Sequence, residues 1–435
     1  MVMNVYPQEY APIKTKPNSQ LPVSESCFIL NLLGLIPAIA VLIFLKTLGG
    51  FSTLTVFGIF FITLAISVLS LELFFRNKNK TSFSIKFYRS PNFSRITFKL
   101  CGLFCIWGVM AFLYWVLPVY NDSLFKLYFL SLKNYWWLGI IIAIAYFTLM
   151  DCLSSSPEDA YYQLGRKILF CQTTINRAEM IELWRGWGVK FFYLALMLPY
   201  FYDRLQWFMK ADFGKMFAHP HAIFHFSNQL IFFLDLAYAS IGYVMTFRIF
   251  HTHIRSSEPT LIGWLAAISC YWPFWGVLLN PYYFQYGTGV SWVSVWQNTG
   301  IWFILWMSMI LLCELIYSLS TIALGLRFSN LTYRGLVTSG PYRFTKHPAY
   351  VFKNISWWLI SMPFMAWSKD WELALKGSIL LLGVNAIYYL RAKTEENHLS
   401  HYPEYVEYAL AMNSKSIFAP IAKILPFLKY RAPSK

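Results

Sequence analysis

Ten apolar runs alternate with short polar segments along the chain, at residues 27–45, 51–75, 100–119, 135–153, 190–202, 222–247, 260–279, 301–325, 350–367 and 371–390. Most approach the roughly 20 residues that a helix needs to cross the hydrocarbon core. The pattern predicts an all-α polytopic membrane protein with about ten transmembrane helices. The run at 190–202 is short and ends in Asp203-Arg204, which makes it the weakest span. Between the fourth and fifth runs, residues 154–189 place Ile181, Leu183 and Trp184 beside Glu179, Glu182 and Arg185 at helical spacing. That reads as an amphipathic helix lying along the membrane surface. The stretch 280–300 carries no charge and six aromatic rings, which suits the headgroup interface on the opposite side. A change of loop composition near residue 220 divides the chain into an N-terminal five-helix transmembrane region, 1–220, and a C-terminal transmembrane region, 221–435.

Charge adds orientation to this picture. Of the 36 Lys and Arg residues, 27 fall in alternate segments that share one side if the N-terminus is cytosolic, eight fall on the other side, and Lys353 lies within a span. Positive residues are retained on the cytosolic face, so both termini are expected there. Only 13% of residues are charged, against roughly 25% in soluble domains. The net charge of +16 is therefore accounted for by topology and by attraction to anionic headgroups. The basic loop within 76–99 is read in the same way, and nucleic-acid binding is excluded because no recognition motif accompanies the cations. The seven cysteines form no CxxC pair, which argues against a disulfide framework or a zinc site. The first 26 residues are polar and show no signal peptide.

Within the apolar runs, Asp235 and Glu314 stand out, because a charge at the centre of a membrane helix is costly and marks a partner, a cavity or a pathway. Either a neutral acid bonded to a neighbouring helix or a lining of the substrate pocket fits them. His219, His221 and His225 have a spacing that can hold a metal, but no cysteine completes the set and Pro220 interrupts it, so they are expected to be interfacial.

Two further segments share the expected cytosolic face. In "TSGPYRFTKHPAYVFKNISWW", residues 338–358, Pro348 suits the first turn of a helix, whose free backbone N–H groups favour an anion. Arg343 and Lys346 strengthen that field, and Tyr342, His347 and Tyr350 offer flat faces to a ring or a cation. Lys353 and Asn354 follow one turn deeper, Asn354 being a candidate for the substrate pocket. In "AIYYLRAKTEENHLSHYPEYVEY", Arg391 and Glu395 are four residues apart with Tyr388 on the same stripe, and Glu395-Glu396 would attract a cation. Together the two segments offer the complement of a zwitterion with an ammonium, a carboxylate, a flat base and a sulfonium, the groups of S-adenosylmethionine.

"GLVTSGPYRFTKHPAYVFKN", followed some forty residues later by "YYLRAKTEENHLSHYPEYVEY", resembles the pattern of the isoprenylcysteine carboxyl methyltransferases and their phospholipid methyltransferase relatives. The resemblance spans roughly residues 315–410, and the 220 residues in front lie outside that family's minimal core. It implies a methyltransferase-like domain with a cytosolic cofactor site. Tyr342, His347, Pro348, Tyr350, Glu395 and Glu396 fall at the methyl donor, and Arg391 falls near the meeting of donor and acceptor, as the catalytic residue. Lys346 stands where Arg is commoner, keeping the charge without the bidentate fork. The expected reaction is methyl transfer to an amphiphilic acceptor from the bilayer, with a carboxylate favoured because it needs no general base. The compact loops suit a bacterial inner membrane better than the endoplasmic reticulum. An NADPH-dependent sterol-type reductase, and a transporter or lipid-binding protein that keeps a degenerate core and uses Asp235 and Glu314, remain as alternatives.

Overall fold

The computed structural model describes residues 21–78, 87–170, 174–368 and 370–432. Part of the basic loop expected within 76–99, residues 79–86, and most of the polar N-terminal segment lie outside the described residues. The helices are α1 (Phe28–Leu48), α2 (Thr53–Lys78), α3 (Phe93–Val116), α4 (Lys126–Leu153), α5 (Ala160–Phe170), α6 (Arg177–Lys210), α7 (Pro220–Val244) and α8 (Leu261–Ile268). After them come the short α9 (Asn280–Tyr282) and α10 (Trp292–Trp296), then α11 (Ile301–Leu324), α12 (Pro348–Ser361), α13 (Trp371–Leu399), α14 (Pro403–Lys415) and α15 (Ala419–Ile424). One antiparallel pair of two-residue strands, β1 (Ser256–Ser257) and β2 (Thr332–Tyr333), accompanies them. The chain is an all-α polytopic membrane protein.

Six helical stretches among the described residues are long and apolar enough to cross a membrane, and these correspond to α1, α2, α3, α4, α11 and α13. The remaining runs form helices whose bounds or composition differ from a simple span for local reasons. The short run at 190–202 is the middle of α6, a 34-residue helix. No stop signal separates it from the amphipathic residues 177–189, so what reads as two elements is one continuous helix. α7 has the length of a span, with 25 residues, but carries Asn228, Gln229 and Asp235. The run at 260–279 breaks after the eight residues of α8 and resumes as a π turn over Phe274–Leu279, with Pro273, which has no N–H to give, at the junction. α12 has only 14 residues, about 21 Å of rise, and ends where Met362 adopts a left-handed conformation before Pro363.

Close approaches between helices rest on glycine. A Cβ on Gly165 of α5 would lie 1.8 Å from the Phe98 carbonyl oxygen, and one on Gly102 of α3 would lie 2.3 Å from that of Tyr161. The largest cluster of buried side chains draws on both halves of the sequence: Leu35 and Leu42 of α1, Phe60 and Leu64 of α2, Phe201 of α6, Phe233 and Tyr238 of α7 and Ile322 of α11. Polar contacts tie the same elements. Asn31 of α1 donates to the Ile322 carbonyl at 2.8 Å, and Glu72 of α2 forms a buried ion pair with Arg327, just past α11.

The connections at one end of α7, α8, α11 and α13 position the site. β1 and β2 pair Ser256 with Tyr333 and Ser257 with Thr332, joining the loop before α8 to the loop after α11. Arg334 lies buried behind this pair and donates to the carbonyls of Gly242, Phe328, Met245 and Thr252. A guanidinium satisfied by four backbone oxygens has no capacity left for a ligand, so Arg334 serves the fold. Burial with positive neighbours lowers its affinity for a proton, to a pKa of about 9.

Candidate active site

The segment between β2 and α12 is shaped by two glycines with positive φ, Gly335 and Gly340, where a side chain would be strained. A Cβ on Gly340 would also press to 2.8 Å from the Phe28 ring of α1. The turn Gly340–Arg343 follows, and Tyr408 of α14 donates its hydroxyl hydrogen to the Tyr342 carbonyl at 2.7 Å. His347 precedes α12, with Pro348 in its first turn as the sequence leads one to expect. One turn on, the Tyr350 ring lies parallel to that of His347, with centroids 5.5 Å apart and planes 6° apart.

α13 supplies the other wall. Tyr350 donates to Glu395 Oε2 at 2.7 Å. Arg391 is 6% exposed and its guanidinium lies against three tyrosine rings, 4.8 Å from that of Tyr350, 5.6 Å from Tyr271 and 5.8 Å from Tyr388. It donates one hydrogen bond to the Asn330 side chain, which in turn donates to the hydroxyls of Tyr243 at 2.7 Å and Tyr271 at 3.2 Å. No carboxylate among the described residues forms an ion pair with it. A buried guanidinium held by rings and one amide has donors to spare.

These groups open onto one cleft of about 750 Å³, measured out to its mouth. Of the residues singled out from sequence, Tyr342, His347, Tyr350, Arg391 and Glu395 line it. The others lie elsewhere. Arg343 is exposed, and Pro348 is buried at the start of α12. Glu396 turns away from its neighbour Glu395 and pairs with Lys346 Nζ at 2.6 Å, Lys393 Nζ at 2.8 Å and His347 Nε2 at 3.3 Å. Consecutive residues on a helix point about 100° apart, so one carboxylate of the doublet enters the cleft while the other builds its wall. Burial pulls the Lys346 pKa below the usual lysine value, and the Glu396 carboxylate only partly offsets this.

The membrane-buried groups have partners of their own. Asp235 accepts from the hydroxyls of Tyr317 at 3.0 Å and of Thr321, and Glu314 accepts from Asn228 at 2.8 Å. Asn354 bonds to Asn385 across the α12–α13 contact, and Asn385 accepts from Trp358 at 2.8 Å. Lys353 lies against the rings of Tyr317, Trp357 and Tyr388. None of these four lines the cleft, although Thr321, the partner of Asp235, does. At the N-terminal end of α7, His219 caps the helix, His225 packs on Trp207, and the His221 ring lies 6.3 Å from that of His219.

Several cleft residues are not among those that the sequence singles out. Glu258, Asn330, Thr394 and His398 line the cleft, with Glu258 contributed by the loop between β1 and α8. Its neighbour Thr260, a helix cap in front of an apolar run, is the one local signal, and it announces a helix rather than a site.

No curated protein and no solved structure matches the chain. The stretch from the start of α11 to just beyond α13, residues 301–401, matches the model of the isoprenylcysteine carboxyl methyltransferase (ICMT) family, so this C-terminal part of the chain is similar to that family of membrane methyltransferases.

Proposed function

We propose that the protein transfers a methyl group from S-adenosylmethionine to a carboxylate on an amphiphilic acceptor that reaches the cleft from the bilayer. One observation carries this reading: Arg391, buried and without a carboxylate partner, opens onto the same cleft as the Glu395 carboxylate. The residues present suit the donor. Glu395 has one oxygen tied by Tyr350 and lone pairs left for an ammonium or ribose hydroxyls. The parallel rings of His347 and Tyr350 form a flat wall suited to a base or a sulfonium. When bound, the donor supplies an electrophilic methyl group on a positively charged sulfur.

The chain's own residues then have separable tasks. Arg391 would orient the acceptor carboxylate with the fork geometry that guanidinium and carboxylate share. A carboxylate is already ionised at neutral pH, so the site needs no base to create the nucleophile. The rings of Tyr271, Tyr350 and Tyr388 around Arg391 hold the guanidinium and keep water from it. Alignment of this kind supplies up to about 7–11 kcal/mol of a displacement barrier. A reductase would need cations to meet a 2′-phosphate, but Lys346 is committed to Glu396 and Arg343 is exposed outside the cleft, which leaves Arg391 in a cleft it shares with the repelling carboxylate of Glu395.

The test uses membranes containing the protein and S-adenosylmethionine labelled in the methyl group. Labelled lipid-soluble product that releases volatile methanol on mild alkali is the expected result, because a methyl ester is base-labile and an N-methyl group is not. Alkali-stable product would overturn the carboxylate acceptor, and stabilisation of the purified protein by NADPH but not by S-adenosylhomocysteine would overturn the methyl donor.

A further inference from the structure

The cleft contains more negative charge than its matched segment accounts for. Glu258, from the loop before α8 and outside residues 301–401, is 2% exposed and lines the cleft together with Glu395. Its carboxylate is fixed. Oε1 accepts from the Thr260 backbone N–H at 3.0 Å and from the Thr260 hydroxyl at 2.5 Å, and Oε2 lies 3.8 Å from Nδ1 of His398. The helix that follows makes room for it: a Cβ on Gly263 would fall 2.5 Å from the Glu258 side chain. The loop itself is pinned by the β1–β2 pair and by the Ser257 N–H, which donates to Glu182 at 2.8 Å. Among the described residues no Lys or Arg forms an ion pair with Glu258.

A rigid buried carboxylate without a cation is costly to fold, and its burial raises its pKa, helped by the like charge of Glu395. Its surroundings are built to hold the acid in place and not to neutralise it. The ionisable lining then reads as two carboxylates, Glu258 and Glu395, one guanidinium, Arg391, and two histidines, His347 and His398. If Arg391 is matched by the acceptor's carboxylate, the two acids face the donor alone. S-Adenosylmethionine carries an ammonium, a sulfonium and a carboxylate, a net charge of +1, whereas S-adenosylhomocysteine has lost the sulfonium charge and is neutral overall.

Resting on the donor assigned above, we propose that Glu258 is a further cofactor-binding residue, whose carboxylate joins Glu395 in giving the cleft an excess of negative charge that selects the sulfonium donor over its thioether product. The arrangement favours loading of the donor and release of the product by the same charge, since methyl transfer removes the sulfonium, one of the two cationic charges that the acids attract.

Equilibrium binding of S-adenosylmethionine and of S-adenosylhomocysteine to the full chain in detergent tests this. Glu258→Gln keeps the shape and the oxygen that accepts from Thr260. It should weaken donor binding about tenfold, as loss of a nearby opposite charge does, and leave product binding within about twofold. Equal loss for both ligands, or no loss for either, overturns the role of Glu258. Failure of the unaltered protein to bind either ligand instead overturns the donor itself, so the two failures are distinguishable. If Glu258→Gln does not fold, the unaltered protein provides the readout. Glu258 faces Glu395, His398 and, at longer range, Arg185. With its pKa raised by burial and by the like charge of Glu395, it loses charge at a higher pH than an ordinary glutamate, so the preference for donor over product should shrink on acidification. A preference unchanged down to about pH 4.5 overturns the proposal.

Discussion

Tyr350 donates its phenolic hydrogen to Glu395 Oε2 across 2.7 Å, and the same ring supports the Arg391 guanidinium at 4.8 Å. One side chain of α12 thus holds, through separate atoms, both charged groups that α13 presents to the cleft. The two tasks can be divided by mutation. Tyr350→Phe removes the hydrogen bond and keeps the ring, and should weaken S-adenosylhomocysteine binding by about fivefold, the equivalent of roughly 1 kcal/mol. Tyr350→Ala also removes the support of Arg391 and should lower turnover further. Titration calorimetry and turnover on the two variants check this, and equal behaviour would mean that the ring contributes nothing beyond the hydrogen bond of its hydroxyl.

The neighbouring acids should fail in different ways. Glu395→Gln alters a group in the cleft, so it should abolish measurable product binding with little change in melting temperature. Glu396→Gln strands Lys346, whose side chain is 11% exposed, and Lys393 without their shared anion. Removing one partner of a buried pair costs about 3–5 kcal/mol, so this variant should melt at a markedly lower temperature. Thermal unfolding beside binding on both variants separates the roles, and a reversed pattern would show that the doublet has been assigned the wrong way round.

This split shows where sequence reasoning reaches its limit. Tyr388, Arg391 and Glu395 share a stripe by spacing alone, and the structure has Tyr388 against Arg391 with Arg391 and Glu395 in one cleft. Tyr342, His347 and Tyr350 were conspicuous because rings and cations are unusual together in so apolar a chain. Glu258 was not conspicuous: one acid in a polar loop has no periodicity, and it reaches the cleft through the pairing of two-residue strands with no sequence signature. The helix boundaries differ from the apolar runs for a related reason. Run length registers apolarity, but α6 continues through its charged first turns and the 260–279 run breaks at Pro273 without losing apolarity.

Arg391 should govern the acceptor rather than the donor. Arg391→Lys keeps a cation but loses the fork, so the acceptor KM should rise about tenfold or more while the S-adenosylhomocysteine dissociation constant changes by less than about threefold. Steady-state kinetics with the natural lipid extract, compared with product binding, measures the two effects. A parallel loss of donor affinity would place Arg391 at the donor instead.

The front helices should matter to the site through the buried pair of Glu72 and Arg327. Arg327 follows α11 directly, with Leu324 and Phe328 of the cleft lining on either side of it, and its side chain is 1% exposed. Glu72→Gln leaves that guanidinium with Glu25, at 3.7 Å, as its one carboxylate partner among the described residues. The loss should lower stability by about 3 kcal/mol, and because the segment after Arg327 runs into Asn330, the hydrogen-bond partner of Arg391, it should reduce turnover as well. A control is available in the α3–α5 contact. Gly165→Ala forces α5 away from the Phe98 carbonyl and should also destabilise, but neither helix contributes a residue to the cleft lining, so turnover per folded molecule should persist. Thermal unfolding together with activity corrected for the folded fraction distinguishes the two. Equal activity in both variants would mean that α1 and α2 support the fold without tuning the site.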